Sequence, residues 1–209
     1  MPTKIFLLSP ANLGGTRARQ LMSPRASFAA AVQYRSPEGV PIADAFAFMS
    51  ALYFRGKIAY ARRFAAASTR IGGDGIFVIT PGFGLVPSDW RITNERMRKL
   101  RATDIDAAKR SYAKPLRDHA KSIAEAIDGE ADAQVVLLGS IASGKYVDVL
   151  LPIFREKLLF PAPFAGLGDM ARGGLMLRAA RESRELPYAT LDAPRHRAPG
   201  TSGKMPALP

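Results

Sequence analysis

An α/β domain with a mostly parallel central sheet, held as the middle layer of a three-layer sandwich, is the fold this sequence predicts. Three observations lead there. Short apolar runs recur along the chain without clear polar alternation, as interior strands covered on both faces require. Segments of helical periodicity separate them, and strands alternating with helices are the pattern of parallel α/β sandwiches. The length of 209 residues, 47% of them hydrophobic, suits one substantial core and not two full-sized domains.

Taken in order, the strand candidates are residues 4–9 (KIFLLS), 76–80 (IFVIT), 134–138 (QVVLL) and 158–160 (LLF). The first helix is expected over residues 42–67, where Met49, Leu52, Tyr53 and Tyr60 fall near one face. A second is expected over 105–127, with Pro115 kinking or dividing it. The third follows Gly144 to residue 154, and the fourth covers 170–184. From residue 191 the chain turns rich in Pro, Gly, Arg and Ser, so a disordered basic tail (191–209) is expected after a single domain of residues 1–190.

Composition narrows the chemistry. There is no cysteine, which excludes disulfides, thiolate metal sites and cysteine nucleophiles. With His119 and His196 the only histidines, a histidine-rich metal cage is not expected either; the expectation is no metal and no cofactor. The N-terminal apolar stretch is too short for a secretory signal. The longest apolar run, residues 42–54, contains Asp44 and falls short of the roughly 20 residues of a membrane span. A cytoplasmic protein with no membrane partner is the expectation. Thirty Lys plus Arg against eighteen Asp plus Glu leave a charge of +12, which favours polyanionic partners, nucleic acid foremost. Arg195, Arg197 and Lys204 against Asp192 give the tail only two of these charges, so the basicity belongs to the body.

In an open parallel sheet ligands bind beyond the C-terminal ends of the strands. Those ends offer Ser9-Pro10-Ala11-Asn12, Thr80-Pro81-Gly82 and Gly139-Ser140, although tight turns favour small residues in any case. Residues 139–146, GSIASGKY, fit a phosphate-loop spacing, but Tyr146 stands where a magnesium-binding Ser or Thr is needed. What remains is a helix N-terminus with Ser140, Ser143 and Lys145 suited to a single phosphate. Asp169 and Arg172 lie in GLGDMARGG, residues 166–174, where Asp169 reads as a helix N-cap. Ser9, Asn12, Thr80, Gly139, Ser140, Ser143, Lys145, Tyr146, Asp169 and Arg172 are thus the pocket candidates. Spacing alone assembles no set of nucleophile, base and orienting group.

Residues 91–121 carry ten basic and four acidic side chains. In this segment Arg91, Arg96, Arg98, Lys99, Arg101, Lys109 and Arg110 are candidates for nucleic-acid contact, and in a separate cluster Arg55 and Lys57 are too, with Tyr53, Phe54 and Tyr60 interleaved around them. Basic side chains position phosphates and aromatics stack on exposed bases. At helical spacing the same residues also read as a core face and a solvated face.

Four blocks carry a family resemblance. Residues 4–11, KIFLLSPA, resemble the opening strand and ISPAK signature of the YaaA-like family, bacterial proteins linked to peroxide stress and DNA binding. Residues 81–89, PGFGLVPSD, resemble its GLYGVLRPLD turn; residues 138–146, LGSIASGKY, its NLASDEY corner; residues 171–176, ARGGLM, its ARGLMS helix start. The blocks keep the family's order. Asn12 replaces its lysine, residues 89–97 replace its PYRLEM stretch, and its helix–hairpin–helix element is not recognisable in 42–67. The resemblance implies a compact α/β fold and a DNA-associated role in oxidative stress, with DNA ahead of RNA as partner. The alternative expectation is an enzyme acting on a nucleotide or nucleobase, with Ser9, Asn12, Thr80, Ser140, Lys145 and Tyr146 lining its pocket.

Overall fold

The computed structural model of the chain describes residues 2–142 and 144–191. In chain order its elements are β1 (Lys4–Leu8), α1 (Thr16–Met22), α2 (Ala29–Arg35), β2 (Val40–Pro41), α3 (Ile42–Ser50), α4 (Leu52–Phe64), β3 (Ile76–Thr80) and β4 (Gly84–Pro87). They continue with β5 (Arg91–Ile92), α5 (Asn94–Ala102), α6 (Arg110–Ala126), β6 (Gln134–Leu138), α7 (Val147–Phe154), β7 (Leu158–Pro161), α8 (Asp169–Arg181) and β8 (Tyr188–Thr190). A six-stranded sheet runs β4-β3-β1-β6-β7-β8, and β2 pairs with β5 in a small separate ribbon. The four inner strands are parallel; β4 and β8 run antiparallel at the edges.

β1 explains the missing alternation. Ile5, Phe6, Leu7 and Leu8 are all fully buried. Phe6 and Leu8 join a core cluster with residues of α1 to α4 and α8, whereas Ile5 and Leu7 join one with α6 and α7. Each such side chain contributes about 1.5–3 kcal/mol by leaving water. The chain leaves β1 toward β3 with helices on one face, and leaves β6 toward β7 with α7 on the other. The strand order therefore reverses between β1 and β6, where Leu8 lies beside Leu138. Such a switch point opens a crevice at the C-terminal edge of an α/β sheet.

Several elements differ from the sequence expectation. The helix expected over 42–67 is two helices, broken at Ala51 with φ 48° and ψ −118°. Both halves bury one face in the same core, and the backbone pays for the turn with a conformation L-residues disfavour. The helix expected over 105–127 begins at Arg110, and Pro115 sits within it without dividing it. The helix expected from Gly144 begins at Val147, and the one over 170–184 ends at Arg181. Leu191 is buried against the second cluster, so the body extends one residue past the expected boundary; the remainder of the expected tail, 192–209, lies outside the described residues. Among the described residues no helix is long and apolar enough to cross a membrane.

One contact sets the geometry of the site. α4 and α8 meet backbone to backbone at Gly56 and Gly173: a Cβ on Gly56 would stand 2.5 Å from the Gly173 carbonyl oxygen, and one on Gly173 would stand 2.8 Å from that of Leu52. Only glycine at both positions permits this approach. It brings the turn of α4 bearing Tyr53 and Lys57 against the start of α8.

Candidate functional site

Ser9 follows the last residue of β1, and its N–H donates to the Leu138 carbonyl at 3.1 Å, so the residue is fixed to β6 as well. Lys57 reaches this point from α4. Its Nζ donates to the Ser9 carbonyl at 3.0 Å and to Ser9 Oγ at 2.6 Å, while lying 3.9 Å from the centre of the Tyr53 ring and 5.5 Å from that of Phe54. The lysine is 1% exposed, and among the described residues no carboxylate forms an ion pair with it. Burial holds its amine far below the ordinary 10.5, at about 7; Asp169 pulls it upward and Arg172 pushes it down. An isolated ammonium loses its hydration in such a place, so the neutral form is favoured.

Two phenols and two charged groups surround the pair. Tyr146 stands at the N-cap of α7; burial drives its hydroxyl up to about 12, with Tyr53 adding to the effect and Ser9 opposing it. The Tyr53 hydroxyl is buried without a well-formed hydrogen bond; burial raises its pKa, and the approach of the Arg172 guanidinium as a hydrogen-bond donor works against that rise. Arg172 itself is anchored by Nε and Nη2, which donate to the Phe164 carbonyl at 3.2 and 3.0 Å. Asp169 is the exposed first residue of α8 and not its N-cap, which is Gly168; the expected capping role is corrected accordingly. Gly139 completes the floor: a Cβ there would lie 3.0 Å from Ser9 Cβ and 3.2 Å from Ser9 Oγ. Ser9, Tyr53 and Tyr146 keep 5–8% exposure, so the floor touches solvent only narrowly.

An open cleft of about 510 Å³, lined by Pro10, Asn12, Pro81, Arg101, Asp104 and Lys145, reaches the floor through the chain neighbours of Ser9 and Tyr146, Pro10 and Lys145, and not through the floor residues themselves. Asn12 accepts the Gly14 N–H through Oδ1 at 2.9 Å, shaping the loop after β1. The carbonyl of Lys145 accepts from the Tyr112 hydroxyl at 3.0 Å, which fixes the backbone while the ammonium stays exposed. Gly144 has φ 65°, and a Cβ there would strike the Asp148 carboxylate at 2.5 Å. Glycine is therefore required where the loop turns into α7.

Of the pocket candidates, Ser9, Gly139, Tyr146, Asp169 and Arg172 gather around the Lys57 amine, and Asn12 and Lys145 line the adjoining cleft. Ser140 is half-buried and its Oγ accepts the Ala142 N–H at 3.4 Å. Ser143 lies outside the described residues. Thr80 is a correction: it is fully buried and donates through Oγ1 to the Gly84 carbonyl at 2.8 Å, closing the β3–β4 turn, so it faces no ligand.

The basic candidates divide likewise. Lys57, a candidate for nucleic-acid contact, is instead the most buried cation of the site and is not available to a polyanion on the surface. Arg55 is exposed and folds back on the Ala51 carbonyl at 3.3 Å. Arg91 donates to the Gly39 carbonyl at 3.0 Å, and Arg96 to the Arg91 carbonyl at 2.6 Å while stacking 4.6 Å from the centre of the Trp90 ring. Lys99 lies 4.3 Å from the centre of the Phe83 ring. Lys109 pairs with Asp104. Arg98, Arg101 and Arg110 are exposed. The basic segment is two helices with a loop between them, so its charges do not form one continuous stripe along a single helix.

Sequence reasoning missed Lys57 as the centre of the site. The sequence carries a signal: Tyr53, Lys57 and Tyr60 share one helical face at i, i+4 and i+7, and the two aromatics on it suit a core. An amine on an inward face needs an acceptor, here Ser9.

The structure defines an α/β protein that holds the Lys57 amine against the Ser9 hydroxyl at the switch point of a doubly wound sheet. Comparison with family models, curated proteins and solved structures gives no match.

Proposed function

We propose that the protein is an enzyme acting on a phosphorylated, nucleotide-type substrate, free or within nucleic acid, at the C-terminal edge of β1 and β6. The observation that carries this reading is the Lys57–Ser9 contact of 2.6 Å beside a cleft that presents Arg101 and Lys145. An amine titrating near neutral pH is matched to proton transfer under ordinary conditions. Buried groups with perturbed titration near a cleft are the candidates for catalytic roles. The cleft volume suits a mononucleotide, and its two cations suit a phosphate.

The DNA association expected from charge joins this reading through α5. Arg98 and Lys99 are exposed on the helix that also supplies Arg101 to the cleft, which offers a polyanion a hold outside the site. Three of the blocks that resemble the YaaA-like family contain residues of this edge: Ser9 with Pro10 and Ala11, Tyr146, and Arg172 with Gly173. A role in oxidative stress rests on that resemblance alone.

Fluorescence anisotropy with labelled nucleoside phosphates and short single- and double-stranded DNA, at two salt concentrations, tests the reading. Nucleotide affinity is expected to fall about tenfold in Lys145→Ala and in Arg101→Ala, the loss of one charged hydrogen bond. DNA affinity is expected to fall with salt by a slope of about 0.9 per phosphate neutralised. Absence of binding to both ligands at low salt overturns the proposal.

A further inference from the structure

The contact between Lys57 and Ser9 exceeds what a tie between α4 and β1 requires. The Ser9 carbonyl, at 3.0 Å, takes one of the amine's protons and by itself ties α4 to β1. The shorter bond goes to the hydroxyl, at 2.6 Å, and Gly139 leaves the space in which that hydroxyl stands. No carboxylate among the described residues pairs with the amine to hold it charged, and two aromatic rings flank it. The Tyr53 hydroxyl lies buried at the same place without a well-formed hydrogen bond; the neighbouring Arg172 can only donate to it, so the hydroxyl proton has no acceptor. A polar substrate atom is the partner it lacks.

Resting on the reading of this edge as a site for phosphorylated substrates, we propose that Ser9 is a nucleophile activated by the Lys57 amine and that the enzyme transfers a phosphoryl group through a covalent ester on Ser9. The neutral amine takes the Ser9 Oγ proton as Oγ forms its bond to phosphorus. The bond from phosphorus to the leaving oxygen breaks, and that oxygen departs with the electron pair and takes the proton from the Lys57 ammonium. Water then attacks the phosphorus, Lys57 accepts its proton and returns it to the Ser9 oxygen as the ester bond breaks. The sum is hydrolysis of one P–O bond, with no oxidant or reductant. Tyr53 donates to a non-bridging oxygen, and Arg172 supplies positive charge beside it. The amine that titrates at about 7 is substantially neutral at neutral pH, as activation of a hydroxyl by an adjacent base requires.

The test is covalent labelling of the full chain with diisopropyl fluorophosphate, and with the smaller methanesulfonyl fluoride, from about pH 6 to pH 9. In the first reaction Ser9 Oγ bonds to phosphorus, fluoride leaves and the proton passes to Lys57. Peptide mass spectrometry is expected to place the adduct on Ser9, with a rate that rises through about pH 7 and then levels. Lys57→Met is expected to slow labelling at least 100-fold, the scale of a lost general base, and Ser9→Ala to abolish it. The pH profile of the unaltered protein needs no variant to fold. A flat profile, an adduct only at other residues, no adduct with either reagent, or undiminished labelling in a folded Lys57→Met overturns the proposal. Labelling of Ser9 without nucleotide or DNA binding keeps the nucleophile and removes the phosphorylated-substrate reading. Binding without labelling does the reverse.

Discussion

Gly56 of α4 and Gly173 of α8 touch through their backbones, with 2.5 Å separating the place of a Gly56 Cβ from the Gly173 carbonyl oxygen. The residues that follow or precede them in their helices, Lys57 and Arg172, consequently face a common edge of the sheet. Neither obstacle is a flexible side chain, so any substituent must push the helices apart.

Gly56→Ala is therefore expected to destabilise the fold by about 1–3 kcal/mol, the range for overpacking a close contact. Gly174→Ala, one residue beyond Gly173, meets open space and is expected to stabilise by about 0.5–1 kcal/mol through helix propensity. Urea denaturation of the two variants checks both signs. Equal effects would mean that the α4–α8 approach is looser than described.

Lys57 makes stability depend on pH in a defined direction. Its amine titrates near 7 in the folded protein and near 10.5 in the ordinary state, so between these values the unfolded chain binds more protons. Stability then rises with pH across that window, and the folded state carries its full penalty for the buried charge below about 7. Relative to Lys57→Met, the unaltered protein is expected to gain roughly 2–5 kcal/mol between about pH 6.5 and pH 10. Denaturation midpoints of both proteins at the two ends measure it. Parallel slopes would show that the amine stays charged.

Tyr53→Phe removes a buried hydroxyl without a well-formed hydrogen bond. Stability is expected to hold or to rise by up to about 1 kcal/mol, since no well-formed bond is lost by the change. Nucleotide affinity is expected to fall by about 1 kcal/mol, near fivefold, on loss of the donor. Denaturation and anisotropy on the same preparation separate the two effects, and a loss of stability without a loss of affinity would contradict the ligand-facing role.

Gly139→Ala would place a methyl group 3.0 Å from Ser9 Cβ, and the serine must give by a few tenths of an ångström. A stability loss of about 1 kcal/mol is expected, with fluorophosphate labelling of Ser9 slowed tenfold or more, because the hydroxyl leaves the Lys57 amine. Labelling kinetics and a melting curve measure the two quantities. Unchanged labelling would place the Ser9 hydroxyl elsewhere.

The inner strands were legible because two-sided burial writes itself as unbroken apolar runs: IFVIT and QVVLL are the strands observed. The break at Ala51 was not, because residues 42, 46, 49, 53, 57 and 60 keep one helical phase straight through it and neither Gly nor Pro marks the turn. The short α1 and α2 carry no acidic first turn and no side-chain cap, which removes the usual signals of helix starts. In the site, Ser9, Gly139 and Tyr146 were legible from strand ends, where topology alone brings β1 and β6 together. Thr80 also stands at a strand end, but the tight β3–β4 hairpin takes its hydroxyl. Lys57 was hidden by its charge: composition counts a lysine as surface, and only the acceptor 48 residues earlier in the chain makes its burial tolerable.

The backbone contact between α4 and α8 also orders the site in time. Tyr53 and Lys57 are synthesised before α8, the helix packed against theirs. Until α8 docks, Gly56 lacks its backbone neighbour and Lys57 lacks the nearby charges of Asp169 and Arg172. The last of the described helices thus completes the surroundings of an amine bound to the end of the first described strand.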